Sequence, residues 1–352
     1  MSLPKRAAAL LAAGALTALP ASAGTIVAGY LPTYKGPAVR YLTASRLDTL
    51  TQVNVAFLNP DPGGDLVRDG ELTCVTSAPG VAPIGAGDLR DVVQLAHAHK
   101  VKVVASLAGG VIPACAGDWN TLLAPDNRTA LVAHIVDLAK AFDLDGIDID
   151  LEWNHLTDPD DAGHFVPFIR ELRDALHANH MTLSCATNSR PGGMIPDASI
   201  ALFDHIGLMS YDAVGPGWGI AGSEHATTAM ARQDIGTWER HGAKKDQILL
   251  GVPFYGYGFG ALRGDYGYDA IIARYGPTAA DADLVGPACA TCDYITYNGR
   301  ATMAQKAALA RQRTAGLMIW DITGDAEAPN SLLSVIADTL AAPATVDKGA
   351  GK

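Results

Sequence analysis

Three carboxyl groups alternate with apolar residues in a short segment near the middle of the chain. Asp148, Asp150 and Glu152 are separated by isoleucine and leucine, and a period of two is typical of a β-strand with one polar and one apolar face. If that strand is buried, loss of hydration and mutual repulsion raise the pKa of at least one carboxyl group. A carboxyl group that stays protonated near neutral pH can donate its proton to a substrate. The segment therefore predicts general acid catalysis, with Glu152 as the acid.

The acidic segment is one of eight short strand-like runs that alternate with helical stretches. The predicted strands are residues 26–31, 52–58, 101–105, 146–151, 182–186, 205–211, 248–253 and 316–320, and the predicted helices include 89–99, 128–142, 162–179, 227–241 and 303–314. Eight such repeats indicate an α/β protein with a (β/α)8 TIM barrel, for which about 250 residues is typical. The stretch from Tyr255 to Ala315 leaves room for a small insertion between strands 7 and 8.

An open, doubly wound sheet is the alternative fold. Such a sheet usually carries a glycine-rich nucleotide-binding loop after its first strand, whereas the first strand here ends in Gly29-Tyr30-Leu31-Pro32. In a barrel, the apolar side of each strand packs against the outer helices, so the three carboxyl groups must point inward. Glu152 then stands at the carboxyl end of its strand, where barrel enzymes hold their reactive groups.

The first 23 residues have the composition of a secretory signal peptide. Lys5 and Arg6 precede an uncharged apolar stretch over residues 7–19, and the segment closes with Ala-Ser-Ala at residues 21–23. The apolar stretch is shorter than the ~20 residues of a membrane span, and a buried first helix is the alternative. We expect cleavage after Ala23, secretion to the extracellular space or periplasm, a catalytic domain over residues 24–341 and a disordered tail over residues 342–352.

The charge of the chain restricts its partners. The net charge is -11, from 26 basic and 37 acidic residues, and an acidic protein repels the phosphates of nucleic acid. No later stretch is apolar for long enough to span a membrane. The acidic segment also fits poorly to an EF-hand calcium loop, which needs glycine and glutamate at set positions. We therefore expect no nucleic acid, no membrane and no metal as partners. We also expect a monomer without a cofactor.

Five cysteines occur in a chain that is expected to enter an oxidising compartment. The odd number leaves at least one free thiol, and Cys185, in an apolar strand-like run, is the best candidate. Cys289 and Cys292 could close a small loop, and Cys74 could pair with Cys115. A redox centre is one alternative for the Cys-x-x-Cys pair, but it would need a strand before the pair and a helix that starts at it. A zinc site is another, but it would need two more ligands nearby. We predict a disulfide at Cys289–Cys292 or at Cys74–Cys115.

The run from Asp145 to Glu152, DGIDIDLE, resembles the D-x-x-D-x-D-x-E signature of glycoside hydrolase family 18, the chitinase family. Further matches to the family follow in the right order along the chain, at Gly29-Tyr30, Met209-Ser210-Tyr211-Asp212, Gly251-Val252-Pro253-Phe254-Tyr255-Gly256 and Gly316-Leu317-Met318-Ile319-Trp320-Asp321. Two positions depart from the pattern. Ala108 stands where the third-strand motif S-x-G-G usually has its first glycine, and Leu151 replaces an aromatic residue before the acid.

The resemblance implies a mechanism that uses one enzyme acid and the substrate's own acetamide. Glu152 would protonate the glycosidic oxygen, the 2-acetamido oxygen would attack the anomeric carbon, and Glu152 would then activate water, which gives retention. Asp150 would orient the acetamide N–H, and Asp148 would tune Asp150. The implied site is completed by Tyr211, which contacts the acetamide oxygen, and by the substrate-binding residues Asp212, Met209, Trp320, Tyr30 and Tyr255.

On this resemblance, we expect an endo-acting chitinase that binds chitin or N-acetylglucosamine oligosaccharides and cuts their β-1,4 bonds. An endo-β-N-acetylglucosaminidase acting on N-glycans is the alternative enzyme, although the tyrosines of the insertion favour chitinase. A chitin-binding lectin on the same fold is the alternative without activity. Family lectins generally lack the acid, whereas this chain keeps Glu152. Further candidates for the wall of a sugar cleft are Trp119, Trp153 and Trp218.

Overall fold

A computed structural model describes residues 24–342, which form a closed barrel of eight parallel strands. The strands are β1 (Ile26–Pro32), β2 (Gln52–Asn59), β3 (Lys102–Ala108), β4 (Gly146–Asp150), β5 (Thr182–Thr187), β6 (His205–Leu208), β7 (Ile248–Pro253) and β8 (Gly316–Trp320). Because β1 pairs with both β2 and β8, the barrel closes, and the predicted fold is confirmed. The predicted signal peptide and residues 343–352 lie outside the described residues.

Helices surround the barrel. The α-helices are Ala44–Leu47, Ala86–Ala98, Trp119–Leu123, Pro125–Ala141, Asn154–Asp161, Phe165–His177, Asp197–Ile200, Thr228–Arg240, Tyr268–Tyr275, Arg300–Arg313 and Leu332–Ala341, with 3-10 helices at Ala38–Tyr41, Gly260–Leu262, Pro277–Asp281 and Ile322–Gly324. Their apolar faces share one large core with outward-facing strand residues such as Ile147 and Ile149. None of the described helices is long and apolar enough to cross a lipid bilayer.

Two strands end three residues away from their predicted ends. β3 extends three residues beyond its predicted end, to Ala108, and β6 ends at Leu208, three residues early. The chain bends after Leu208 because the N–H of Ser210 donates to the Leu208 carbonyl oxygen at 2.7 Å. Asp212 then adopts a left-handed φ of 61°, whereas residues in a β-strand have negative φ. The motif around Tyr211 therefore lies on a turn at the mouth of the barrel.

The connection between β7 and β8 forms a small antiparallel sheet, as its length predicts. In spatial order its strands are Gly264–Gly267, Tyr255–Phe259, Tyr294–Thr296 and Leu284–Val285. In chain order the first strand of this insertion sheet is Tyr255–Phe259, which begins almost directly after β7. The insertion sheet is thereby attached at the carboxyl end of the barrel, the same end that carries Glu152.

Both predicted cysteine pairs are disulfides, and Cys185 is a buried free thiol. Cys74 lies in a short strand that pairs with the end of β2, so its bond to Cys115 ties that strand to the loop after β3. The bond between Cys289 and Cys292 closes a tight turn within the insertion. The Cys74 strand is Cys74–Val75, and two further short strands precede it after β2, at Val67–Arg68 and Glu71–Leu72.

Candidate active site

β4 carries the acidic side chains into the barrel. Asp148 and Asp150 have exposed fractions of 1% and 4%, and Glu152 follows the end of the strand in a partly buried position. Ile147 and Ile149, which alternate with the aspartates, face the helices instead. The predicted division of the strand into an inner acidic face and an outer apolar face is therefore correct.

Asp148 is held by donors from three other strands. Its Oδ2 accepts hydrogen bonds from Tyr30 Oη at 2.8 Å and from Ser106 Oγ at 2.7 Å. Its Oδ1 accepts a hydrogen bond from Ser184 Oγ at 2.6 Å. Burial raises the pKa of Asp148, and these three hydrogen bonds oppose the rise because they stabilise the charged form. Asp148 is thereby fixed as a polar group at the bottom of the site.

Asp150 lies between the other two acids in sequence and lacks such donors. Its Oδ1 is buried and accepts no hydrogen bond from the described residues. Burial, followed by the charges of Glu152 and Asp148, raises the pKa of Asp150 well above the ordinary value of an aspartate. A protonated Asp150 can donate a hydrogen bond to a nearby carboxylate, and an ionised Asp150 can accept one from a ligand N–H.

Glu152 has the electrostatic environment of a general acid. Burial is the main cause, and the charge of Asp212 the second cause, of a rise in the pKa of Glu152 to about 7. Such a carboxyl group is substantially protonated near neutral pH and still releases its proton readily. Gly110 leaves room for this side chain, because a Cβ atom at Gly110 would lie only 2.7 Å from Glu152 Oε1.

The acids open into a cavity of about 460 Å³ at the carboxyl end of the barrel. Seven of the nine predicted site residues line this cavity, namely Glu152, Asp150, Tyr211, Asp212, Met209, Trp320 and Tyr30. Its floor is aromatic, since the Trp320 ring stacks on Phe57 at a centroid distance of 5.5 Å and meets Tyr30 edge-on at 5.5 Å. The cavity therefore combines a flat apolar surface with the acid group.

Tyr255 contacts the cavity through Asp212. The Tyr255 hydroxyl donates a hydrogen bond to Asp212 Oδ1 at 2.5 Å, and its ring lies 6.0 Å from that of Tyr211. Tyr255 itself lines a neighbouring cavity of about 240 Å³, which shares Trp320 with the first. Asp148 and Tyr255, the two predicted residues that do not line the main cavity, thus each hydrogen-bond to a residue that does.

Sequence reasoning missed the groups that support the predicted residues. The register of the sheet places Ser106 of β3 and Ser184 of β5 beside Asp148. Ser106 belongs to a motif that was recognised, but no pattern in the sequence singles out Ser184 or Phe57. Their roles depend on strand pairing, which a one-dimensional pattern does not contain.

Of the three tryptophans predicted as candidates for a sugar cleft, one lies in the core. Trp119 is 1% exposed and its Nε1–H donates to Asn59 Oδ1 at 3.3 Å, so the prediction for Trp119 is wrong. The helix that begins at Trp119 turns this ring inward, where its area is best buried. Trp153 and Trp218 are 49% and 46% exposed, and the Trp218 Nε1–H donates to the Asp212 carbonyl oxygen at 3.1 Å.

Ala108, which departs from the family pattern, adopts a φ of 81°. Glycine takes this left-handed conformation without strain, whereas alanine does so at a cost. The backbone after β3 therefore keeps a shape suited to glycine. The carbonyl oxygen of Ala108 accepts a hydrogen bond from Asn59 Nδ2 at 3.2 Å, which helps to hold it.

A closed barrel with a protonatable carboxyl group at the carboxyl end of its strands is an arrangement suited to general acid catalysis. The sequence profile of glycosyl hydrolases family 18 matches residues 27–325. This match covers most of the chain, and the protein belongs to glycosyl hydrolase family 18.

Individual relatives agree with this family. The chain is 32% identical over 239 residues to a chitinase-like effector of Moniliophthora roreri, a match that covers 60% of this chain and 55% of that relative. The structure of this chain is similar to that of the GH18 chitinase ChiB of Flavobacterium johnsoniae, with a TM-score of 0.74 and 30% sequence identity. The match covers 90% of this chain and 94% of ChiB. A chitinase from Bacteroides thetaiotaomicron gives a TM-score of 0.73 at 27% identity, and the match covers 94% of this chain and 99% of that chitinase.

Proposed function

We propose that the protein is a secreted, endo-acting chitinase that hydrolyses β-1,4 bonds between N-acetylglucosamine units by substrate-assisted, retaining catalysis. The observation that carries this proposal is the pair of carboxyl groups on the wall of the cavity. Glu152 has a pKa raised to about 7, and Asp150 keeps a buried oxygen that accepts no hydrogen bond from the described residues. The first can give a proton to a leaving oxygen, and the second can accept the N–H of an acetamide group.

In the proposed reaction, Glu152 donates its proton to the glycosidic oxygen while the acetamide oxygen of the same sugar attacks the anomeric carbon. The bond to the leaving sugar breaks and a five-membered ring forms, with Asp150 accepting the acetamide N–H and Tyr211 donating its hydroxyl hydrogen to the acetamide oxygen. Glu152 then takes a proton from water as the water opens the ring, so the anomeric configuration is retained. Trp320 supplies the apolar surface beneath the sugar.

Product analysis on two substrates tests the proposal. Chitin oligomers should be cut at internal bonds, with the β-anomer as the first product, and a high-mannose glycoprotein should remain intact. Release of N-glycans with the oligomers left whole would identify an endo-β-N-acetylglucosaminidase instead. Binding of the oligomers without any product would identify a lectin.

We also propose that residues 1–23 direct export. Produced with its full N-terminus in a secreting host, the protein should be recovered outside the cytoplasm with Gly24 as its first residue. N-terminal sequencing of the recovered protein makes this measurement, and recovery in the cytoplasm with Met1 in place would contradict it.

The activity should decrease above a midpoint near pH 7. The protonated form of Glu152 is the active one in the first step, and its pKa is raised to about 7. Since ionisation removes the acid, kcat/KM for chitin oligomers should fall by about tenfold per pH unit on the alkaline side. The Asp212→Asn variant removes the charge that contributes to this rise, so its alkaline midpoint should move to lower pH. A midpoint that stays in place or moves upward would contradict this origin of the pKa.

Substitution of Gly110 by alanine should reduce activity without unfolding the protein. The new methyl group would lie 2.7 Å from Glu152 Oε1, and the flexible carboxyl group would have to move. A displacement of about 1 Å can cost up to about 100-fold in rate, so we expect a loss of about 10- to 100-fold in kcat. Gly87→Ala is the matched control, because no atom lies within 4 Å of a Cβ atom at Gly87. Equal activity of the two variants would show that Gly110 does not position Glu152.

A further inference from the structure

His225 is a fully buried histidine whose ring nitrogens lack partners at hydrogen-bond distance. Its side chain has an exposed fraction of 0%, and among the described residues neither Nδ1 nor Nε2 finds such a partner. Unpaired polar atoms in the interior cost stability, so buried side chains that keep them usually have another role. A leucine at this position would avoid that cost.

The ring of His225 lies next to Asp212. The distance between His225 Nδ1 and Asp212 Oδ1 is 3.7 Å, a little longer than the ~2.7–3.2 Å of a hydrogen bond. The same oxygen already accepts the Tyr255 hydroxyl at 2.5 Å. Because Asp212 lines the main cavity and His225 does not, the imidazole stands directly behind the wall of the site.

Two tyrosines fix the plane and position of the imidazole. The centroid of the His225 ring lies 5.3 Å from that of Tyr255 and 5.4 Å from that of Tyr257. Both tyrosines belong to the first strand of the insertion sheet, which thereby holds the ring against the barrel. The ring has little freedom to turn away from Asp212.

The backbone around His225 is also anchored. Its N–H donates to Thr296 Oγ1 at 3.2 Å, and its carbonyl oxygen accepts the N–H of Ala213, the residue after Asp212, at 2.9 Å. The carbonyl oxygen of the next residue, Ala226, accepts hydrogen bonds from the buried Lys306 Nζ at 3.0 Å and from Asn298 Nδ2 at 2.8 Å. The histidine and Asp212 are therefore held to each other by main chain as well as by side chains.

Burial, rather than the neighbouring charges, keeps His225 neutral. Burial is the largest cause and lowers the pKa of His225; Asp212, through its contact and its charge, raises it, and the charge of Lys306 lowers it to a smaller extent. The other ionisable groups against the ring are the phenols of Tyr255 and Tyr257, and burial raises the pKa of both. A neutral imidazole carries one N–H, and an oxygen of the Asp212 carboxylate lies 3.7 Å from His225 Nδ1.

We infer that His225 is a positioning residue for Asp212, whose Oδ1 accepts the His225 Nδ1–H after a shift of less than about 1 Å. The imidazole and the Tyr255 hydroxyl then both bind Oδ1 and hold the Asp212 carboxylate in place on the wall of the cavity, against the bound sugar. The inference rests on the proposed function, because the sugar is what Asp212 is held against. It explains why the chain keeps a buried histidine with unpaired nitrogens behind the site.

Two substitutions at this position separate positioning from packing. His225→Leu removes both nitrogens, whereas His225→Asn places an amide N–H close to the position of Nδ1. His225→Leu should unfold at the same temperature as the wild type or higher, yet lose about 10- to 100-fold in kcat on chitin oligomers with little change in KM. His225→Asn should recover most of that loss. If His225→Leu does not fold, His225→Phe keeps a ring between the tyrosines and takes its place.

His205→Leu is the matched control. His205 also has a buried, unpaired Nδ1, but it lies at the amino end of β6, at the opposite end of the barrel. Its replacement by leucine should leave kcat unchanged. Full activity of His225→Leu, or equal losses in His225→Leu and His225→Asn, would overturn the inference. A wild-type protein with no activity on chitin oligomers would overturn the proposed function itself, which is a different result.

Discussion

Replacing Glu152 with glutamine is expected to abolish nearly all hydrolysis of chitin oligomers. Glutamine fills almost the same volume, but its amide group cannot transfer a proton to the leaving oxygen. General acid catalysis is worth about 100- to 10,000-fold, and kcat/KM should fall by an amount in this range. Glu239→Gln, which alters an exposed salt bridge with Arg313 on the outer helices, should keep full activity. A Glu152→Gln variant that retains most of its activity would show that the acid is another group.

The thermal stability of the Glu152→Gln variant also tests whether burial raises the pKa of Glu152. The pKa of Glu152 is raised from 4.5 to about 7 in the folded protein, so its contribution to stability is fully present below about pH 4.5 and is lost as the pH rises through 7. At about 1.4 kcal/mol per unit, ionising this group in the folded state costs on the order of 3 kcal/mol. Glutamine does not ionise. Thermal unfolding should therefore show the variant equal to the wild type at pH 4 and more stable at pH 8.

The orientation of the acidic strand was predictable because it depends only on local sequence. Alternation over residues 148–152 decides which side chains share a face, whatever the partner strands are. Barrel closure then decides only that this face lies inside. Because the eight strands are parallel, their carboxyl ends lie on one side of the barrel, and the motifs around Tyr211 and Trp320 reach the same cavity as Glu152.

The supporting contacts could not be predicted, because they join residues that are far apart in the chain. Tyr30 and Asp148 are separated by 118 positions, and their hydrogen bond crosses the interior of the closed barrel. His225 lies in a loop with no periodic pattern, and its burial depends on the insertion sheet that covers it. The early end of β6 at Leu208 likewise results from a local turn that apolar patterning does not reveal.

Removal of the acetyl group from the substrate is expected to have an effect of similar size to loss of the acid. If no enzyme carboxylate attacks the sugar, the acetamide must stabilise the positive charge that develops at the anomeric carbon. Groups already joined in the right geometry react as if at effective concentrations of about 10⁵–10⁸ M, so deacetylation should cost at least about 1,000-fold. Fully deacetylated chitosan and cellulose should be inert. Partly acetylated chitosan should be cut only beside the remaining N-acetylglucosamine units.

Two further results would distinguish an attacking acetamide from an attacking carboxylate. A thiazoline that mimics the cyclised intermediate should inhibit strongly, and Asp150→Asn should lose much activity, because an amide cannot ionise to the carboxylate that accepts the acetamide N–H. Asp212 is the third carboxyl group that lines the cavity, beside Glu152 and Asp150. If Asp212 attacked the anomeric carbon, a retaining reaction would pass through a covalent bond between enzyme and sugar. In that case deacetylated chitosan would be cut efficiently and the thiazoline would have no effect. This pair of results would leave the barrel and the acid in place and exclude the substrate-assisted mechanism.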